Sequence, residues 1–167
     1  EAGAPLRAPR DLWRAMNPLS PGLNRVEADE LSYGLHILIR TELEIALLEG
    51  GLAVSDLPNE WNRRYGELLG VTPENDAEGC LQDVHWSEGL FGYFPSYLLG
   101  HLISAQISEA MIEAIGSPED HVARGDMAPL LAWLREHVHP LGRSVNAEQL
   151  VEQVTGRPLD ALSLIHI

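Results

Sequence analysis

From Val26 to Glu49 apolar residues return at steps of three and four: Ala28, Leu31, Leu35, Leu38, Ile39, Ala46 and Leu47. That is the period of one helix face, not the two-residue alternation of a half-buried strand. At 1.5 Å per residue the segment would be roughly 35 Å long as a helix. Gly50-Gly51 is its expected end, because glycine accepts the left-handed conformation past a helix terminus. A second helix is predicted over Asp56–Leu69, with Leu57, Trp61, Tyr65 and Leu68 on one face, Ser55 or Asp56 as cap and Gly70 as stop. Ser96–Ile115 is apolar most of the way round, which predicts the most buried helix of the chain. Shorter helices are expected at Arg10–Met16 (Leu12 and Trp13 covering an apolar surface), after Ser117-Pro118, and at Asp126–Val138. The last is expected at Asn146–Thr155, where Asn146 and Gln149 have capping-box spacing and Val145 and Leu150 have staple spacing. No segment reads as a strand, so the expected fold class is all-α.

Composition narrows the function. The 167 residues hold 11 basic side chains, all arginine, against 25 acidic ones, a net charge of −14. A nucleic-acid binder shows a basic face, so nucleic acid is not an expected partner. With 45% hydrophobic and 22% charged residues the chain is neither disordered nor extreme in any class. No run approaches the roughly 20 apolar residues of a membrane span, and no membrane role is expected. The single cysteine, Cys80, leaves no disulfide framework and points weakly to a reducing compartment. Length predicts one domain. Residues 1–24 form a Pro-rich lead with Pro5, Pro9, Pro18 and Pro21. The chain begins with Glu1 rather than Met, which suggests a start partway through a longer protein.

Residues 71–95 have no helical pattern of their own. Irregular segments this long are uncommon in compact domains and tend to be functional. This one carries Gln82, Asp83, His85, Trp86, Glu88, Phe91, Tyr93 and Phe94 among glycines. So many aromatic residues predict a segment packed into the body that presents polar groups to a cleft.

Other chemistry is thinner. His137 and His139 are two apart and point to different sides of a helix, His85 and Glu88 make only half a zinc set, and His36 reads as a half-buried, hydrogen-bonded histidine. Cys80 has no basic neighbour to lower its pKa. Glu109 and Glu113 read as solvated helix charges. Arg25 stands apart. A cation at a helix N-terminus opposes the helix dipole and calls for an anion. Glu27, Asp29 or a substrate carboxylate gripped in two places all fit.

Asn24-Arg25-Val26-Glu27-Ala28-Asp29 resembles the Ile-Arg-x-x-Ala-Asp motif of the carboxypeptidase Taq family of thermostable metallocarboxypeptidases. Gly92-Tyr93-Phe94-Pro95 matches that family's Gly-Tyr-x-Pro motif. Leu57 to Asn62, Leu81 to Ser87 and Ala123 to Asp126 read like the same family in the same order, so the resemblance covers roughly Leu12 to Asp160. Two features depart from it. Asn24 replaces an isoleucine, and the His-Glu-x-x-His metal helix with its downstream glutamate is missing. Residues 161–167 also depart from the closing helix and read as a non-native or truncated tail.

The resemblance implies that residues 1–160 are the C-terminal part of a large helical metallopeptidase with a deep cleft, akin to the angiotensin-converting-enzyme and neurolysin group. It implies a divalent metal in the parent, usually zinc, that activates water for hydrolysis of the last peptide bond, and no metal ligand within this chain. It implies peptide substrates with a free C-terminus, a partner in the N-terminal part of the same enzyme, a homodimer and a cytoplasmic location. By the same resemblance Tyr93 is the catalytic candidate, over the scissile carbonyl. Arg25 contacts substrate or orders the site, His85 donates to the peptide backbone, and Asp29, Gly92 and Pro95 support them. An oxyanion suits a phenol donor, and a free carboxylate suits an arginine fork. Two other readings stand beside this one: a helical interaction module without activity, and a metal enzyme built on His85, His137 and His139.

Overall fold

Polar side-chain caps mark where several of the helices begin. The computed structural model describes residues 9–165, and all regular structure among them is helical. Its helices are α1 (Pro9–Met16), α2 (Glu30–Leu48), α3 (Leu57–Leu68), α4 (Phe94–Ile115), α5 (Pro118–Ala123), α6 (Ala128–His137), α7 (Ala147–Thr155) and α8 (Leu162–Ile165). Pro5 of the lead and His166 and Ile167 of the tail lie outside the described residues.

The helix expected from Val26 starts four residues later. Asp29 caps α2, its carboxylate accepting the Leu31 and Ser32 N–H groups at 3.0 and 2.8 Å. Ahead of it Arg25–Glu27 form a single 3-10 turn capped by Asn24. Arg25 therefore stands outside the helix rather than at its first turn. Gly50, Gly70 and Gly156 end α2, α3 and α7 with positive φ, as the sequence suggested. The Asn146–Gln149 capping box of α7 is complete. Asp56, by contrast, makes no side-chain cap on α3, because a 3-10 turn over Val54–Asp56 leads into the helix instead.

The described residues fall into two compact units that divide after Ser96. In the first, α2 packs on α3 around Ile39, Leu43, Leu57, Trp61 and Tyr65, with Leu69 and Cys80 completing the core. The connection over residues 69–93 is irregular and turn-rich, as expected, and is anchored to this core through Leu69, Cys80 and Trp86. Leu12 and Trp13 of α1 are largely exposed rather than packed into the core.

In the second unit Met111 packs on Leu130 and Trp133. Buried Gln106 fastens the chain after α7, donating to the Pro158 carbonyl at 2.8 Å and accepting from the Asp160 N–H at 3.2 Å. Glu109 is not a simple solvated charge: Arg157 pairs with it, and the Ser163 hydroxyl in the closing stretch donates to it at 2.8 Å. The expectation that the third long helix is the most buried fails. Leu99 and Ile112 of α4 are 46% and 45% exposed, while α2 buries residues from Ser32 to Glu44 on its inner face. A helix that is apolar all round needs neighbours all round, and the described residues supply them only in part.

Leu43 is fully buried between α2 and α3. Leu43→Ala is expected to cost about 2–5 kcal/mol of stability through lost transfer energy and the cavity left behind. Urea denaturation of the variant against wild type checks this.

Candidate functional site

Three polar side chains on α2 are spaced four residues apart and share one face of the helix: His36, Arg40 and Glu44. All three are buried. A buried guanidinium needs hydrogen bonds at every nitrogen, or its desolvation is not offset. Arg40 has them. Its Nε donates to Asp83 at 2.5 Å, Nη1 to the His36 carbonyl and the Tyr65 hydroxyl at 2.9 and 3.0 Å, and Nη2 to Gln82 at 2.9 Å. Its plane also lies 4.6 Å from the Trp61 ring centroid, where the negative face of the ring favours a cation.

Asp83 is the shared acceptor. Arg25 donates to it from Nη2 at 2.7 Å and from Nε at 3.2 and 3.3 Å. Arg25 is thus paired with Asp83, 58 residues along the chain, while Asp29 serves as a helix cap and accepts the Ser20 N–H as well. Burial pushes the Asp83 carboxyl up, but Arg25 and Arg40 outweigh it and hold its pKa below the usual range. Burial likewise works against the Arg25 charge, and Asp83 more than restores it. For Asp29, burial raises and the hydrogen bonds from Ser32, Ser20 and Leu31 lower, with the lowering stronger.

His36 is wholly buried, more deeply than its sequence pattern suggested, and its Nδ1 lies 3.0 Å from the Tyr65 hydroxyl. Burial, then the charges of Arg40 and Arg25, lower its pKa to about 4. Burial also raises the Tyr65 and Cys80 pKa values, so Cys80 is an inert core thiol.

His85 is buried beside this network. Its Nδ1 is 3.6 Å from Asp83, and its ring lies 4.4 Å from Phe94 and 5.8 Å from Tyr93, centroid to centroid. Tyr93 is 47% exposed, so its ring is half in solvent. Gly92 has φ +75°, a conformation that side-chain-bearing residues seldom adopt, and nothing lies within 4 Å of where a Cβ would stand. Its requirement is the turn, not close packing. Pro95 sits in the first turn of α4, where a missing N–H costs nothing. The structure therefore brings Arg25, His85 and Tyr93 into one neighbourhood through Asp83 and Phe94, while Asp29 serves at the start of α2. Arg40, Glu44 and Tyr65 belong to the same cluster and were not singled out as site residues from sequence, and Gln82 was noted only as a polar residue of the connection. For Arg40 and Glu44 the signal was the four-residue polar step inside an otherwise apolar helix face.

Among the described residues, His, Cys, Asp and Glu side chains do not gather in groups of three or more that could hold a metal. The reading built on His85, His137 and His139 required such a group. Nor is any described helix long and apolar enough to cross a membrane.

The sequence profile of the family described as carboxypeptidase Taq (M32) metallopeptidase matches residues 6–167. The chain is 45% identical over 155 residues to carboxypeptidase 1 of Bacillus subtilis, covering 93% of this chain and 31% of that protein. It is 47% identical over 146 residues to thermostable carboxypeptidase 1 of Thermus thermophilus, covering 87% and 29%. Among solved structures, the M32 carboxypeptidase from Deinococcus radiodurans R1 superposes with a TM-score of 0.87 at 40% identity, covering 94% of this chain and 32% of that one. A Pyrococcus furiosus carboxypeptidase superposes with a TM-score of 0.90 at 36% identity, covering 95% and 32%. The chain thus spans about a third of the length of the relatives it matches. No observation favours a helical module without activity.

His36 makes stability depend on pH. Its folded pKa of about 4 lies below the ordinary 6.5. The unfolded chain therefore takes up a proton first as pH falls. Stability from this residue is complete above pH 6.5 and is lost progressively down to about pH 4, by roughly 3 kcal/mol. Asp83, with its lowered pKa, adds a further loss at still lower pH. His36→Gln should flatten the limb between pH 6.5 and 4 and leave the acidic limb in place, as read from denaturation midpoints across that range.

Proposed function

Because the chain belongs to the carboxypeptidase Taq (M32) metallopeptidase family, we propose that it is the C-terminal part of an enzyme that hydrolyses the last peptide bond of peptides with a free C-terminus. The observation that carries this is the Asp83 brace. Two buried arginines, from either side of the α2 start, meet one carboxylate, and His85 and half-exposed Tyr93 lie beside it. Residues this costly to bury support a site rather than a plain core.

The parent enzyme is a metallopeptidase and takes a divalent metal, which we propose is zinc. The described residues hold no group that fits it, and its ligands are proposed to lie in the rest of the enzyme. Tyr93 has the chemistry to donate its O–H to the oxyanion that forms when water adds to the scissile carbonyl. His85 is proposed to contact the substrate backbone. Arg25 is proposed to act at the substrate end by ordering the site through Asp83, or by gripping the substrate carboxylate directly.

The N-terminal part of the same enzyme is the proposed covering partner. Leu31, Leu38 and Ile45 lie seven residues apart on α2 and are all exposed. That spacing makes one apolar stripe, of the kind that packs against another helix. A homodimer and a cytoplasmic location are proposed on family resemblance. Residues 1–160 are proposed to be part of one catalytic domain.

In the complete enzyme, Tyr93→Phe should lower kcat by ~10²–10³ with little change in KM, the usual loss for one oxyanion donor. Near-wild-type kcat would remove Tyr93 from the mechanism. Arg25→Ala should raise KM and nearly spare kcat if the guanidinium holds substrate in ground and transition states alike. If Arg25 only orders the site, the variant loses thermal stability instead, and the folded fraction keeps its KM. The isolated chain should show no peptidase activity and should bind zinc poorly, because no ligand set gathers among the described residues. Submicromolar zinc affinity in competition with a chromogenic chelator would count against the fragment assignment.

A further inference from the structure

Glu44 is 2% exposed on α2, and both of its carboxylate oxygens are used. One accepts the Trp86 indole N–H at 2.7 Å and the other accepts the Gly92 backbone N–H at 3.0 Å. Both donors belong to the irregular connection, 42 and 48 residues further along the chain. A buried carboxylate is a costly way to fasten a loop, since a neutral side chain could fill the space without the desolvation penalty. What the charge adds is a stronger and more directional bond to an N–H than a neutral acceptor gives.

The place of that bond matters. Gly92 carries the positive φ of the turn, and the next residue is Tyr93. On the other side, the Tyr93 carbonyl accepts the Ser96 N–H at 3.1 Å and the Ser96 hydroxyl at 2.6 Å, at the start of α4. The backbone bearing the phenol is therefore held twice, by Glu44 before it and by the first turn of α4 after it. Trp86 reinforces the first hold. Its ring lies parallel to Phe91 at 6.4 Å, and edge-on to Phe94 and Trp61, both at 6.1 Å.

We propose that Glu44 is the positioning residue for Tyr93: it fixes the Gly92 turn so that the phenol stands where the oxyanion forms. This rests on the assignment of Tyr93 as a hydrogen-bond donor to the reacting carbonyl. Glu44 touches no reacting atom itself. Its effect comes from placement, and displacement of a catalytic group by about 1 Å can cost on the order of 10²-fold in rate.

The test uses the complete enzyme with steady-state kinetics on one peptide substrate for three variants: Glu44→Gln, Tyr93→Phe and the double substitution. Glu44→Gln keeps the size but turns an amide NH2 toward a donor. It is expected to lower kcat by ~10-fold or more with KM within about twofold. The double variant is expected to be no slower than Tyr93→Phe alone, because a phenol that is absent has no position to lose. If Glu44→Gln retains wild-type kcat while Tyr93→Phe loses it, the positioning role is overturned and the Tyr93 assignment stands. If the two losses multiply in the double variant, Glu44 acts elsewhere and the proposal falls. If Tyr93→Phe is unimpaired, the Tyr93 assignment fails and the proposal with it. Should Glu44→Gln not fold, Glu44→Asp takes its place under the same criteria, since it keeps the charge and shortens the reach.

Discussion

The salt bridge from Arg25 and Arg40 to Asp83 is the constraint on which the first unit depends. It ties a 3-10 turn before α2, the middle of α2 and the irregular connection after α3 to one carboxylate. Apolar packing alone would not select this arrangement, because burying leucine or tryptophan is favourable in many registers. Two guanidiniums and one carboxylate removed from water are favourable only in the arrangement that satisfies them together. Gln82 extends the lock: its Oε1 accepts from Arg40 and from the Arg25 backbone N–H, while its Nε2 donates to the Leu23 carbonyl. Register before α2 and register in the connection are thus fixed against each other.

His36 beside that salt bridge is kept neutral near neutral pH first by burial and then by the like charges of Arg40 and Arg25, against the opposing pull of Asp83. Its Nδ1 lies 3.0 Å from the Tyr65 hydroxyl, which accepts from Arg40 and donates to the Leu23 carbonyl. Tyr65 stacks on Trp61 at 4.9 Å. One residue thus joins the apolar core between α2 and α3 to the polar cluster above it.

Helix class and helix ends were legible because they are local. The three- and four-residue period, the Asn146–Gln149 box and the glycine stops all act within a turn or two of chain. Arg25, His85 and Tyr93 were singled out through resemblance, since each sits in a short run that resembles the family's pattern. What sequence did not disclose was the partner of Arg25. The nearby acids Glu27 and Asp29 were the natural candidates, and the actual partner is separated from it by both α2 and α3. Glu44 was passed over for a related reason: an acid on a helix is usually solvated, and the polar step on α2 does not by itself show that Trp86 and Gly92 bury it. The burial of α4 was misjudged because apolar composition reports what a helix requires, not which neighbours this length of chain supplies.

The polar stripe of α2 then accounts for how an irregular segment can be accurate. Four helical residues advance about 6 Å, so His36, Arg40 and Glu44 present anchors at even intervals along one rigid rod. Each meets a successive contact: Tyr65 at the first, Gln82 and Asp83 at the second, Trp86 and Gly92 at the third. The connection is therefore laid along the helix in chain order, and its geometry is copied from the helix rather than from any regularity of its own. Sites carried on loops lose precision unless a second layer of contacts locks them to rigid elements. Here the helix that supplies that layer is itself fixed by the Asp29 cap at one end and the Gly50 stop at the other, so the placement of Tyr93 traces back to local sequence signals more than forty residues before it.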